Sequence, residues 1–152
     1  MQESTLNEAK KDYHRPMHTA EHILNQTMVR MFGCSRSVNA HIEKKKSKCD
    51  YHLTEAPTEE QIIDIQRKVN DIIDRHLPVY EELMSHEEAA KVADLSKLSA
   101  EASDTLRIIR VGEYDACACI GQHVSNTSEI GTFVIISHDF DNGRWRVRFK
   151  IV

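Results

Sequence analysis

The stretch His18-Thr-Ala-Glu-His22 sets two imidazoles four residues apart. On a helix both lie on one face, and their ring nitrogens can converge on a single ion. Near the other end of the chain, Cys119-Ile-Gly-Gln-His123 offers a thiol and a third imidazole at the same spacing. Tetrahedral zinc prefers nitrogen and sulfur donors of this kind. His18, His22, Cys119 and His123 are therefore read as one metal site, which exists only if the fold brings the two stretches together. Each pair alone is weak evidence. Nine histidines in 152 residues make chance spacings easy, so His18 and His22 could equally be solvated helix residues, and Cys119 a buried core thiol. The second pair, after a strand-like run and before a glycine-containing loop, is what gives the first its weight.

Several other chemistries are excluded. In the zincin pattern the glutamate follows the first histidine directly, whereas here Glu21 comes three residues after His18. The Pro-Cys-x-x-Cys half of the zinc deaminase signature is absent. There is neither a Gly-x-Ser-x-Gly elbow nor a phosphate-binding glycine-rich loop.

The elements that must position these residues follow from the hydrophobic pattern. Pro16 suits the first turn of a helix. Met17, Ala20, Leu24, Met28 and Met31 recur at helical spacing up to Phe32, and Gly33 is placed to end the helix in a left-handed conformation. His18 and His22 run beside this apolar stripe. Residues 37–54 read as two strands, with Val38, Ala40 and Ile42 alternating on the first and Cys49, Tyr51 and Leu53 on the second. Thr58 and Gln61 form a capping-box pattern ahead of a second helix whose buried face runs from Ile62 to Ile73. Val79 to Met84 is a short extended segment. Ser85 and Glu88 repeat the capping box before a third helix reaching Leu95. From Thr105 the pattern is strand-like: Leu106–Val111, Tyr114–Ile120, Thr132–Ser137 and Arg144–Val152, the last two joined by an Asp141-Asn142-Gly143 hairpin turn. The expected class is α+β, a largely antiparallel sheet covered by helices, with a polar lead-in over 1–13 and one domain over 14–152.

At 152 residues the chain can bury a substantial core. Its 40% hydrophobic and 29% charged content argues against disorder. No apolar run approaches the roughly 20 residues of a membrane helix, and the polar N-terminus is unlike a signal peptide. A cytoplasmic protein is expected, with Cys34, Cys49, Cys117 and Cys119 reduced. A net charge of −4 excludes general affinity for nucleic acid but not a local basic face.

Taken together, His18-Thr-Ala-Glu-His22-Ile-Leu and Cys119-Ile-Gly-Gln-His123-Val-Ser-Asn-Thr-Ser-Glu-Ile-Gly131 closely resemble the editing (second additional) domain of alanyl- and threonyl-tRNA synthetases. That family carries His-x-x-x-His and Cys-x-x-x-His motifs, the latter commonly followed by Asn-Thr-Gly-Glu-Ile-Gly. The resemblance runs over roughly residues 14 to 150 and is nearest to the free-standing AlaX-type trans-editing proteins. It implies an editing-domain fold and one zinc per chain. It also implies hydrolysis of mischarged tRNA(Ala), carrying Ser or Gly, as a contribution to translation fidelity. The expected partner is tRNA, through the tRNA(Ala) acceptor stem, rather than DNA or a membrane. A chain of this length is read as lacking a synthetase catalytic domain, so it is not expected to charge tRNA itself. Two departures bear on the pocket: Ile120 and Gln122 replace a glycine and a threonine usual in the family, and Ser128 replaces a glycine.

The remaining candidates carry two readings each. Glu21, His41 and Gln122 are polar groups for water or substrate contact, while Glu21 and His41 read equally as solvated helix and strand residues. Cys117 is core or metal-adjacent. Asn126, Thr127 and Glu129 shape the loop after His123, and a carboxylate there can orient a ligating imidazole. Lys44, Lys45 and Lys46, with Arg144, Arg146 and Arg148 on one face of the last strand, either follow tRNA phosphates or serve as a solvated turn and a guarded strand edge. Four protein ligands close a tetrahedral zinc site. Catalysis would then need one ligand to yield, a fifth position, or zinc that anchors the substrate amino group while another residue positions water; the residues leave these open.

Overall fold

A computed structural model describes residues 14–95 and 104–152. The expected polar lead-in over 1–13 lies outside the described residues. Helix α1 (Arg15–Phe32) starts at His14, whose Nδ1 accepts the Met17 N–H at 3.3 Å. Gly33 ends it at φ 66°, a left-handed conformation that glycine takes without a Cβ penalty, and donates to the Val29 carbonyl. Helix α2 (Glu59–Asp74) opens with the full Thr58–Gln61 capping box.

The strands are β1 (Asn39–His41), β2 (Ser47–His52), β3 (Val79–Ser85), β4 (Thr105–Val111), β5 (Asp115–Ala118), β6 (Phe133–Asp141) and β7 (Arg144–Ile151). A short helix α3 (His86–Ala90) follows β3, and a 3-10 turn spans Thr127–Glu129. The class is α+β and every pairing is antiparallel, although the strands divide into two sheets, β1-β2-β7-β6 and β3-β4-β5.

On β7, Trp145, Val147 and Phe149 are fully buried while the alternating residues face outward, as a half-buried strand requires. They pack with Tyr51 of β2, Phe133 of β6 and the apolar face of α1 into the main core. The β6–β7 hairpin turns through Asn142 at φ 47° and Gly143 at φ 80°, both positive as a two-residue type I′ turn demands.

Asn70 on α2 holds the start of β6 from outside the sheet. Its amide accepts from Phe133 N at 2.8 Å and donates to Phe133 O at 2.9 Å, and Gln66 Oε1 accepts from Ile135 N at 2.8 Å. Two side chains thus stand in for the neighbour that an edge strand lacks.

Three expectations are corrected. Val38 and Ala40 do not face the core: β1 is a three-residue edge strand with every residue exposed, and only Ile42 beyond it turns inward. The third helix ends at Ala90 rather than near Leu95, because Ala89 is the only residue within it that is buried. The strand expected to stop at Ser137 continues to Asp141, since β7 pairs with it through the polar run His138 to Asp141 after a register shift between Ile135 and Ser137. Among the described residues no helix is long and apolar enough to cross a membrane.

Candidate metal centre

Helix α1 lies along β5 in the opposite direction. A ridge at four-residue spacing, His18, His22, Gln26 and Arg30, meets Cys119, Asp115 and Tyr114 in turn. The amphipathic pattern of α1 buries its apolar stripe in the core and turns this neighbouring stripe onto β5 and the loop that follows. That single packing relation brings the two distant motifs together.

The four expected ligands do meet. One donor atom from each of His18, His22, Cys119 and His123 lies within 4.8 Å of the other three. Cys119 Sγ stands 3.4 Å from His18 Nε2 and 3.6 Å from His123 Nε2. With Zn–N near 2.0–2.1 Å and Zn–S near 2.3 Å, the nitrogen–sulfur edge of a zinc tetrahedron is about 3.6 Å. The rings of His18 and His123 stack at 4.1 Å, and that of His22 stands edge-on to both.

Hydrogen bonds behind the rings assign their tautomers. A carbonyl only accepts, so the 3.0 Å contact between His18 Nδ1 and Gln122 O makes Nδ1 the protonated nitrogen. The Thr19 hydroxyl gives its proton to the Arg15 carbonyl and also accepts from Val124 N, so it accepts from His123 Nδ1 at 2.9 Å as well. Both rings therefore present an unprotonated Nε2 to the sulfur, the state in which imidazole binds a metal.

The third ring has a charged neighbour. Among the described residues the buried His22 Nδ1 has no hydrogen-bond partner, and Asp115 Oδ2 stands 3.6 Å away. Asp115 is itself buried and receives Gln26 Nε2 at 2.9 Å and a two-pronged contact from Arg36 at 2.6 and 3.2 Å. Burial alone would raise its pKa, but His22 and Arg36 outweigh that and hold it well below the usual carboxylate range.

The thiol is similarly tuned. Burial opposes a Cys119 thiolate, yet the charge on His22 and the close imidazole nitrogens around the sulfur bring its pKa down to about 2. Burial and the neighbouring His22 push His123 down to about 3. His22 takes the opposite shift: burial lowers it, but Cys117, Cys119 and Asp115 carry it well above the ordinary value. A thiolate beside the unprotonated Nε2 atoms of His18 and His123 is the form a soft divalent ion binds, and His22 gives up its extra proton when it joins them. The donor set fits zinc.

The other candidates fall in different places. Glu21 is buried, with Oε1 3.8 Å from His18 Nε2 and Oε2 accepting from Asn25 at 2.7 Å. Asn25 is fixed in turn by Ser37 N and the Tyr51 hydroxyl. Gln122 contributes its carbonyl to His18, while its side chain is exposed and accepts from Arg15. His41 is exposed on β1 and turns to Glu43 at 2.8 Å. Cys117 lies among His22, Arg36 and Asp115, and burial raises its thiol. Asn126 and Thr127 bond the backbone at Ser128, His76, Leu77 and Ile73, and Glu129 accepts from Ser125.

The basic residues also divide. Lys44, Lys45 and Lys46 sit exposed in the β1–β2 connection. Arg146 makes a two-pronged ion pair with Asp50, while Arg148 and Arg144 approach Asp139. Sequence reading missed Asp115, Arg36, Thr19 and Gln26. Thr19 and Gln26 carried a signal, since they share α1 with the histidines. Asp115 and Arg36 are ordinary in sequence.

Residues 106–146 match the family described as the threonyl and alanyl tRNA synthetase second additional domain. The alanine–tRNA ligase of Fervidobacterium nodosum is 31% identical over 136 residues, 89% of this chain and 16% of that protein. That of Caldicellulosiruptor saccharolyticus is 33% identical over 121 residues, 79% of this chain and 14% of that protein. For Pseudoalteromonas translucida the ligase is 29% identical over 136 residues, with 89% and 16% covered. The matched stretch is thus a small part of each of these ligases. By the family match and by these relatives, the chain resembles the second additional domain of threonyl and alanyl tRNA synthetases over residues 106–146, and over most of its length it is similar to a segment of alanine–tRNA ligases.

Proposed function

We propose that this protein is a zinc-dependent aminoacyl-tRNA deacylase that hydrolyses mischarged tRNA(Ala), bearing Ser or Gly, in trans. The observation that carries the reading is the convergence of three imidazole donors and the Cys119 sulfur at zinc-like separations, in a chain whose relatives are alanine–tRNA ligases.

His18, His22, Cys119 and His123 would hold one zinc ion. A zinc ion there supplies Lewis acidity towards an ester carbonyl. The remaining work belongs to the chain. Thr19, the Gln122 carbonyl and Asp115 fix the three rings. Asp115 approaches the quartet from behind His22, whereas Glu21 on α1 approaches the metal-facing nitrogen of His18, with one oxygen held by Asn25 and the other 3.8 Å from His18 Nε2. We assign Glu21 the proton of the attacking water, a general-base role. Gln122 and Arg15, bonded to each other beside His18, form the wall that meets the substrate amino acid.

One observation favours a second reading. Four protein donors fill a tetrahedral zinc shell, as in structural sites, which would make the domain a metal-stabilised tRNA-binding module. Deacylation of Ser-, Gly- and Ala-tRNA(Ala) by metal-loaded wild type and by Cys119→Ala separates the two. Hydrolysis by wild type that is lost in the variant supports the enzyme. Absence of hydrolysis with retained tRNA binding supports the module.

A further inference from the structure

At the far end of the α1–β5 seam lies an open cleft of about 460 Å³, lined among others by Arg30, Arg75, Pro78, Tyr80, Glu113 and Tyr114. Its cations differ from those of β7. Arg146 and Arg148 are committed to Asp50 and Asp139, so a phosphate reaching them must displace a carboxylate. Among the described residues Arg30 has no carboxylate partner. It is pinned by the Tyr114 carbonyl at 2.8 Å and by Gln26 at 3.1 Å, with its guanidinium 4.2 Å from the centre of the Tyr114 ring. Arg75, exposed at the end of α2, has no side-chain partner among the described residues.

The aromatic groups are equally placed. The Tyr114 hydroxyl donates to Thr27, whose own proton goes to the Ile23 carbonyl, so the ring is rigid. Tyr80 is 44% exposed on the edge strand β3 and offers its ring to solvent. Guanidinium groups not neutralised by a carboxylate, beside an exposed aromatic face, are the recurring means of holding single-stranded nucleic acid: phosphates on the cations, a base on the ring.

Position adds to chemistry. Arg30 lies two steps beyond His22 on the ridge of α1, about 12 Å along the axis at about 1.5 Å per residue. That is the length of three or four stacked nucleotides at about 3.4 Å each, and the unpaired 3′ end of a tRNA is of this size. We infer that the Arg30–Arg75–Tyr80 cleft receives the base of the unpaired 3′ strand of the RNA whose aminoacyl end lies at the quartet. The inference rests on the proposed deacylase reading and names the surface that reading lacks. Glu113 on the rim opposes the phosphate and moderates the affinity.

The test is binding of the metal-loaded protein to a tRNA acceptor minihelix, by fluorescence anisotropy, with and without its unpaired 3′ nucleotides. Arg75→Gln is expected to weaken binding several-fold and reduce the salt slope by about one. Tyr80→Ala should cost about 10-fold, as loss of one base stack does. Glu113→Gln should tighten binding, Arg148→Gln should leave it unchanged, and metal content should stay at the wild-type value throughout. Trimming the 3′ nucleotides should remove the sensitivity to Arg75 and Tyr80. Wild-type affinity in the Arg75→Gln/Tyr80→Ala double variant would overturn the inference while leaving the deacylase reading intact, provided wild type still hydrolyses aminoacyl-tRNA. If wild type neither binds the minihelix nor hydrolyses any aminoacyl-tRNA, both fall together.

Discussion

The Asp115 carboxylate stands 3.6 Å from His22 Nδ1, and both of its oxygens are held from the far side, Oδ1 by Gln26 and Arg36 and Oδ2 by Arg36. The carboxylate is buried and fixed before any metal arrives, so the ring it faces has one orientation and an enriched basicity at Nε2. Asp115→Asn keeps the shape and removes the charge. It is expected to lower zinc affinity about 10- to 100-fold, read by competition with a chromophoric chelator. Gln122→Ala should leave that affinity unchanged, because His18 is oriented by the backbone carbonyl and not by the Gln122 side chain.

Glu21 occupies a different place in the argument. One of its oxygens is committed to Asn25 and the other is 3.8 Å from His18 Nε2. If it takes the proton of the attacking water, Glu21→Gln lowers the deacylation rate about 10²-fold or more while metal content stays at one per chain. Single-turnover rates on Ser-tRNA(Ala), beside metal analysis of the same sample, read both. A rate equal to wild type would remove Glu21 from the chemistry.

Much of this site was legible in the sequence, and for definite reasons. His18 and His22 share one helix, where a spacing of four guarantees proximity. Cys119 and His123 share one strand end and loop. Local periodicity therefore gave each half, and donor chemistry joined them. Asp115 and Arg36 stayed hidden because their meeting depends on how the chain after α1 crosses β5, a relation between residues 79 apart with no local spacing to mark it. The fold divides in the same way. The capped helices and the Asn142-Gly143 hairpin follow from short-range rules, whereas the exposure of Val38 and Ala40 reflects a face of β1 that no described element packs over. Alternation on a strand gives the period but does not say whether anything covers the face.

Asn70 tests the support of β6. Its amide satisfies both backbone groups of Phe133, which is fully buried. Asn70→Leu keeps the volume and leaves that N–H and carbonyl without a partner, at a cost of about 1–3 kcal/mol for each group fully shielded from water. Urea denaturation should show a lower midpoint with an unchanged slope, since the native and unfolded surfaces hardly differ. A changed slope would mean that β6 had detached from α2.

Asp50 and Arg146 give stability a pH dependence with a definite sign. The hydrogen bonds from Arg146 hold the Asp50 carboxyl below its ordinary value; burial works against this and the Arg146 charge reinforces it. The unfolded chain, with Asp near 3.9, then binds the proton more readily than the folded one. The contribution is complete above the unfolded pKa and is lost as the pH falls through about 4 towards the lower folded value. Asp50→Asn should therefore flatten the acid limb of the stability curve in that window and lower stability near neutrality. Arg146→Gln should do the same from the other partner. Measured by denaturation between pH 3 and 7 on metal-loaded protein, an acid limb unchanged in both variants would show that the pair contributes no linkage, whatever its geometry.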